Sequence, residues 1–486
     1  MKIKLLFTFA FFILSLGTIL SQPLFWSGEI TVANGSTYGK TRPRIAITSG
    51  NIPVIMWGGG TAAEPLYTAR WNGTGFDTPV TITPVNMDPF IDSWAGAEIA
   101  ASGNTVFVVF KAEPMMTTNI YVVKSTDGGV TWGLPIQADM GVGPLDDFPS
   151  IAVSDAGNPS VMFMVFDSVM ADPHYVVTSS VDGGATYPPA ITVSDSASDE
   201  VCDCCPGYLA IKGNYFVPAW RRNSSNIRDM WIGISSDAGM TYPDVMDMDN
   251  TNWMITSCPS SGPSPFLTTD SVITAFMSRA SGSYRIYLST ASYTGLQNGF
   301  TAFADNTVTS TTIQNYPFLA GSNDTVALVY QQTVSGNSDA MYSYSYTGAS
   351  GLSGNSYVLN NSAAGNQKNP HVAYSSGTFH FVWVDFATGN VMYKAGTIPT
   401  GISENENRGP LAVYPNPSDG AMRIDLPMLN GKKGMLEIFD VNGKAVQSAD
   451  ITGMKSYMIE KQIPGIYSVK ISGEDGFQQH AKVIFY

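Results

Sequence analysis

Eight arginines precede residue 400: Arg42, Arg44, Arg70, Arg221, Arg222, Arg228, Arg279 and Arg285. A guanidinium is a planar fork of donors that grips a carboxylate with two parallel hydrogen bonds. Three carboxylates, Asp92, Glu113 and Glu200, are candidates for general acid or base work near them. The third chemical resource is sulfur. Cys202-Asp203-Cys204-Cys205 forms a dense run, and Cys258 follows about one structural repeat later. Four cysteines allow three complete pairings, so the sequence leaves their connectivity open. Thiolates also suit zinc or copper(I). A Cys-x-Cys-Cys run with one distant partner is not a standard zinc spacing, and no resident cofactor or metal is expected.

These residues need a scaffold, and the scaffold announces itself by repetition. Ser125-Thr126-Asp127-Gly128-Gly129-Val130-Thr131-Trp132 returns as Ser180 to Tyr187 and again as Ser235 to Tyr242, with aspartates at 127, 182 and 237. A constant step of this kind marks one supersecondary unit used repeatedly. The glycines supply positive φ, the Ser, Asp and Thr side chains fix a tight loop, and the closing aromatic can bury a ring. Ser125, Asp127, Gly129 and Trp132 thus correspond to Ser180, Asp182, Gly184 and Tyr187, and to Ser235, Asp237, Gly239 and Tyr242. The turns resemble the Asp boxes of sialidase-type β-propellers, where they sit on the blade periphery away from the active site.

Short apolar runs bounded by Gly, Asn, Asp and Ser read as strands. They form seven hairpins, beginning near Pro43, Ala97, Pro149, Gly207, Pro265, Pro317 and Pro370. The boxes fall between the third and fourth strands of their units. The expected fold is therefore all-β, a seven-bladed Asp-box propeller. The sialidase resemblance implies six blades, so six is the alternative. The seventh unit is short, and a lone strand at 29–33 could complete it by joining the two ends.

In such a ring, one rim is made by the loops leading into the first strands and by the loops between second and third strands. Every early arginine except Arg70 maps to that rim, as do the four cysteines, Asp92 and Glu113. The resemblance implies a carboxylate clamp, with Arg44 as its first member and Arg221, Arg228, Arg279 and Arg285 as candidates to complete it. It also implies a tyrosine nucleophile, which no motif fixes. Two functions follow: a sialidase-like glycoside hydrolase acting on anionic glycans, or a non-catalytic glycan- or protein-binding propeller.

The ends of the chain speak of export. Residues 1–21 carry Lys2 and Lys4, an apolar stretch from Leu5 to Leu16, and Ser21 before Gln22, the pattern of a signal peptide. No further stretch is long and apolar enough to span a membrane as a helix, so the mature chain is expected to have no transmembrane span. Net charge is −14 with no Lys/Arg-rich run, which argues against nucleic-acid binding. The propeller is expected over 22–399 and a polar linker over 400–410. From 411 to 486 Asn-Gly turns and alternation give a small Ig-like β-sandwich. Its Tyr414-Pro415-Asn416-Pro417 opening and Gly465-Ile466-Tyr467 strand resemble the type A sorting domain of type IX secretion cargo. That resemblance implies the secretion machinery as a partner, and a secreted or outer-membrane surface location.

Overall fold

The computed structural model describes residues 24–486 apart from 60–64, 115–118, 141–142, 195–199, 294–297, 363, 400–410, 427–431, 442 and 474–477. The signal peptide and linker thus lie outside the described residues. The chain divides into two compact units, Met1–Pro399 and Thr400–Tyr486.

Among the described residues, the first unit contains seven antiparallel sheets of four or five strands. Their innermost strands are Thr41–Thr48, Glu98–Ser102, Leu145–Val153, Tyr208–Lys212, Ser264–Leu267, Ile313–Ser322 and Gln367–Ser375. Each packs on the next, and the seventh packs on the first, so the sheets are blades of a closed ring. We number them 1 to 7 in chain order. The second strand of each hairpin is buried on both faces, as in Thr105–Glu113 and Pro159–Phe166. That is why these strands read as continuous apolar runs. The cores lie between neighbouring blades: Phe107 and Val109 of blade 2 share one cluster with Ile151, Val161 and Phe163 of blade 3.

The ring is closed by its two ends. Ile30–Asn34 and Phe25–Trp26 both pair with Asn390–Thr397, the last strand of blade 7, with Ile30 opposite Tyr393 and Trp26 opposite Gly396. Blade 7 gains its outer strands this way, and the edge of Asn390–Thr397 is covered.

The three boxes are near copies in geometry. In each, the Ser hydroxyl donates to the Asp at 2.7–2.8 Å, and the second Gly N–H donates back to that hydroxyl at 2.8–2.9 Å. The Thr hydroxyl donates to the other carboxylate oxygen at 2.6–2.7 Å. The boxes also join blades. Gly184 has φ +79°, and a Cβ there would meet the Phe107 ring of blade 2 at 2.8 Å. Tyr187 packs into that same interface between blades 2 and 3.

Seven strands converging on one axis leave little room, and the sequence answers with alanine. Ala46, Ala100, Ala152, Ala210, Ala320 and Ala373 line a central chamber of about 610 Å³, while the residue before each is buried between blades. Phe318 and His371, with ring centroids 3.8 Å apart, close its rim end.

The second unit is a β-sandwich. A sheet of Val413–Tyr414, Met422–Asp425 and Ser456–Ile459 faces one of Ala445–Asp450, Gly434–Phe439, Gly465–Gly473 and Gln478–Phe485. Ile424, Leu426, Leu436, Ile438, Val469 and Ile471 are among the residues of its shared core.

Candidate functional site

Four blades begin with the same backbone device. Arg42, Phe148, Tyr316 and Asn369 each precede a proline and have φ between 49° and 56°. In each case the pairing of the first two strands slips at that point, at Thr41/Arg44, Asp147/Ser150, Asn315/Phe318 and Lys368/His371. A proline has no N–H, so a bulge here strands no donor. Positive φ in a non-glycine residue costs free energy and persists only when its surroundings hold it.

All four residues reach one segment, the loop 90–97 that leads into blade 2. Arg42 donates to Ala97 O at 2.7 Å, and Asn369 donates to Ser93 O at 2.5 Å. Phe148 packs on Trp94 with centroids 5.4 Å apart, and the charge of Asp92 helps raise the pKa of Tyr316 beyond the effect of burial. Because its partners come from blades 1, 3, 6 and 7, this loop crosses the axis.

Beneath it lies a buried cluster of charged side chains. Arg42 Nη2 donates to Glu98 Oε1 at 2.5 Å and to the Tyr208 hydroxyl at 3.0 Å. Arg44 Nε reaches both Glu98 oxygens at 3.1–3.2 Å. Arg42 is 1% exposed and Arg44 8%. Burial, and then the charge of Arg42, lower the pKa of Arg44. Burial followed by both arginines holds His371 well below its ordinary value, so that ring is neutral. Arg44, Trp94, Tyr208, Tyr316 and Asn369 are among the residues around a pocket of about 20 Å³, room for about one water.

The other sequence candidates disperse. Asp92 is exposed at the lip of the mouth. Glu113 ends the second strand of blade 2 opposite Asp88, and Glu200 is exposed opposite Asn223. Arg221 is fully buried and donates to Ser261 O, Arg228 O and Met277 O. Arg285 donates to Asp305 O and lies over Phe303, while Arg279 is exposed over Tyr284. Glu98 and Tyr208 were not among the candidates. Each opens the innermost strand of its blade, and the partners that mark it out come from distant parts of the chain.

The sulfurs gather beside blade 4. Cys204 and Cys258 form a disulfide between the lead-in loops of blades 4 and 5. Cys202 and Cys205 are buried free thiols with sulfurs 2.8 Å apart, and Arg228 Nη1 donates to Cys202 Sγ at 2.9 Å. With Cys204 in a disulfide, two thiols of the cluster remain.

A second buried acid group lies where blades 2 and 3 meet. Lys111 pairs with Asp147 at 3.0 Å. Asp146, desolvated and hydrogen-bonded to Asp139, is pushed up to about 9 and keeps its proton at neutral pH.

Residues 412–485 match the secretion system C-terminal sorting domain family. The C-terminal module is a type IX sorting domain. It marks the chain for export, to release or to attachment at the outer-membrane surface. No helix among the described residues is long and apolar enough to cross a membrane. No curated protein matches the chain. Among solved structures, the chain resembles a Dyadobacter fermentans protein of unknown function at 12% identity and TM-score 0.45, covering 76% of this chain and 98% of that one. It resembles the Trypanosoma rangeli sialidase in complex with DANA at 10% identity and TM-score 0.42, covering 91% and 84%. A PL25 ulvan lyase bound to -[GlcA(1-4)Rha3S]- is similar at 9% identity and TM-score 0.47, covering 80% and 100%.

Proposed function

We propose that this exported propeller recognises an anionic glycan at the axial mouth of its rim. The supporting observation is a local charge imbalance. Two guanidiniums, Arg42 and Arg44, share the single carboxylate of Glu98. One net positive charge therefore lies under the pocket, in a chain of net charge −14. A carboxylate or sulfate on a sugar is drawn to such a point, and the low-dielectric walls focus the field. Trp94, Tyr208 and Tyr316 add ring faces and hydroxyls, and Asn369 an amide, which suit a polyhydroxylated ring. The enclosed space takes one water, so the sugar docks on the mouth and its anionic group points inward. Binding without turnover is the reading this geometry favours.

Hydrolysis is the second reading, and one observation favours it. Tyr208 and Glu98 meet on the same Arg42 nitrogen, with Asp92 at the lip above. In a sialidase-like reaction Tyr208 would pass its proton to Glu98 and attack the anomeric carbon while Asp92 protonated the leaving oxygen, once loop 90–97 had moved, and water would then cleave the glycosyl–tyrosine bond.

A panel of sialylated, uronic acid-containing and sulfated glycans, run for both binding and release of sugar, tests the two readings. Binding that Arg44→Ala abolishes, without release, supports recognition. Release that Tyr208→Phe abolishes supports hydrolysis. Loss of neither binding nor release in variants with unchanged thermal stability overturns both assignments.

A further inference from the structure

The four sulfurs form one compact cluster, close enough for exchange between neighbours. Cys258 is bonded to Cys204, Cys204 Sγ lies 3.7 Å from Cys202 Sγ, and Cys202 Sγ lies 2.8 Å from Cys205 Sγ. The outer end is exposed at Cys258 and the inner end is buried at Cys205. Cys202 and Cys205 are spaced as Cys-x-x-Cys, a pattern that lowers the pKa of its first thiol and favours closure to a disulfide. We infer that these sulfurs form a thiol–disulfide relay, in which the buried Cys202–Cys205 pair reduces a disulfide of a second molecule through the surface pair Cys204–Cys258.

The steps balance without any further oxidant. The Cys202 thiolate attacks Cys204 Sγ. The Cys204–Cys258 bond breaks, and its electron pair leaves on Cys258 as a surface thiolate. Cys205 attacks Cys202, closing the Cys202–Cys205 bond, and its proton passes to the departing Cys204, which is partly exposed and loses it to solvent before the last step. Cys258 then attacks a foreign disulfide R–S–S–R and releases one RS⁻. Cys204 attacks the mixed disulfide, restores Cys204–Cys258 and releases the second. The net change is oxidation of the Cys202 and Cys205 thiols to one disulfide and reduction of R–S–S–R to two thiols.

The surroundings assign the roles. Arg228 donates to Cys202 Sγ at 2.9 Å, a charge-assisted contact that stabilises the thiolate. The Cys202 thiol is lowered to about 7, chiefly by the hydrogen bond from Cys205, with Arg221 and Arg228 also offsetting the cost of burial. Burial raises Cys205 well above the ordinary thiol range, so it stays protonated until Cys202 has reacted. Tyr175 packs against the pair from blade 3, and its hydroxyl donates to Cys205 O at 2.7 Å. Cys258 is the accessible leaving group, as exchange requires.

The test uses the purified full chain without reductant and an aromatic disulfide, 5,5′-dithiobis(2-nitrobenzoate), as the probe. The native wild type is expected to release two thionitrobenzoates per chain and end with Cys202 bonded to Cys205 by peptide mapping. Cys205→Ser is expected to stop after one, with the adduct on Cys258 and a trapped Cys202–Cys204 bond. Cys202→Ser should release none in the native state while keeping Cys204–Cys258. Arg228→Gln should slow release about tenfold at pH 7 and recover the rate at pH 9. An adduct on Cys202 in Cys205→Ser overturns the relay, as does a chain with both pairs bonded that exchanges with neither the probe nor glutathione.

Discussion

At one end of the blades, Asp127 and Asp182 are exposed and Asp237 is half-buried, each accepting from two backbone N–H groups and two hydroxyls. At the other end, Asp146 is a buried carboxyl that keeps its proton, and Glu98 is a buried carboxylate between two arginines. The box acids are shifted down: Asp127 to about 2, led by the Thr131 hydroxyl, and Asp237 to about 2, led by Ser235. Asp146 is shifted up, led by burial. The same residue type thus has opposite pH behaviour at the two ends. The boxes are repeated and locally satisfied, whereas the rim is unlike from blade to blade and held by distant partners. A turn that satisfies itself can be copied around a ring. A charged cluster cannot, because each member depends on particular neighbours.

The largest test of this contrast removes Glu98. Glu98→Ala leaves Arg42 and Arg44 buried beside each other without their carboxylate, and should cost about 3–5 kcal/mol in chemical denaturation. A cost below 1 kcal/mol would mean that the axial cluster is not a structural keystone. In the boxes the large effects are steric. Gly184→Ala puts a Cβ against Phe107 at positive φ and should cost about 2 kcal/mol by the same measurement.

The pH signs supply a third test. An unfolded aspartate ionises near 3.9. Asp146 therefore contributes stability that is full below about pH 4 and declines as pH rises toward 9. Asp127 and Asp237 contribute stability present above about pH 4 and lost as pH falls toward 2. In Asp146→Asn the melting temperature should fall less steeply between about pH 4 and 9, with the limb below pH 4 unchanged. If the variant keeps the wild-type slope between those values, Asp146 is not the group responsible. The smallest effect concerns the third box, where Ala238 holds φ 61° at the position of Gly128 and Gly183. Ala238→Gly should stabilise by about 1 kcal/mol in denaturant. A destabilised variant would show that Ala238 is held there by packing the box does not share.

What could be read in advance follows the same division. The hairpins, the box turns, the completing strand near residue 30 and the C-terminal sandwich are written in local patterns of apolar alternation and turn residues. The axial cluster is not, because Glu98 becomes special only when Arg42, Arg44 and Tyr208 arrive from blades 1 and 4. The prolines opening the blades were visible, but the residue before a proline ordinarily reads as extended. Arg42, Phe148, Tyr316 and Asn369 instead turn through positive φ, and that reversal carries them onto loop 90–97. That Arg221 spends its donors on backbone carbonyls depends on Ser261 and Met277, which are remote in sequence.

The pairing of Ile30–Asn34 with Asn390–Thr397 has a bearing on timing. The Ser27 hydroxyl accepts from the N–H of Ala395 across 368 positions, so these first residues have no strand to join until the last blade has been made. Whatever the order in which the blades form, the clasp cannot close before residue 393 is available, so closure of the ring waits on its last strand.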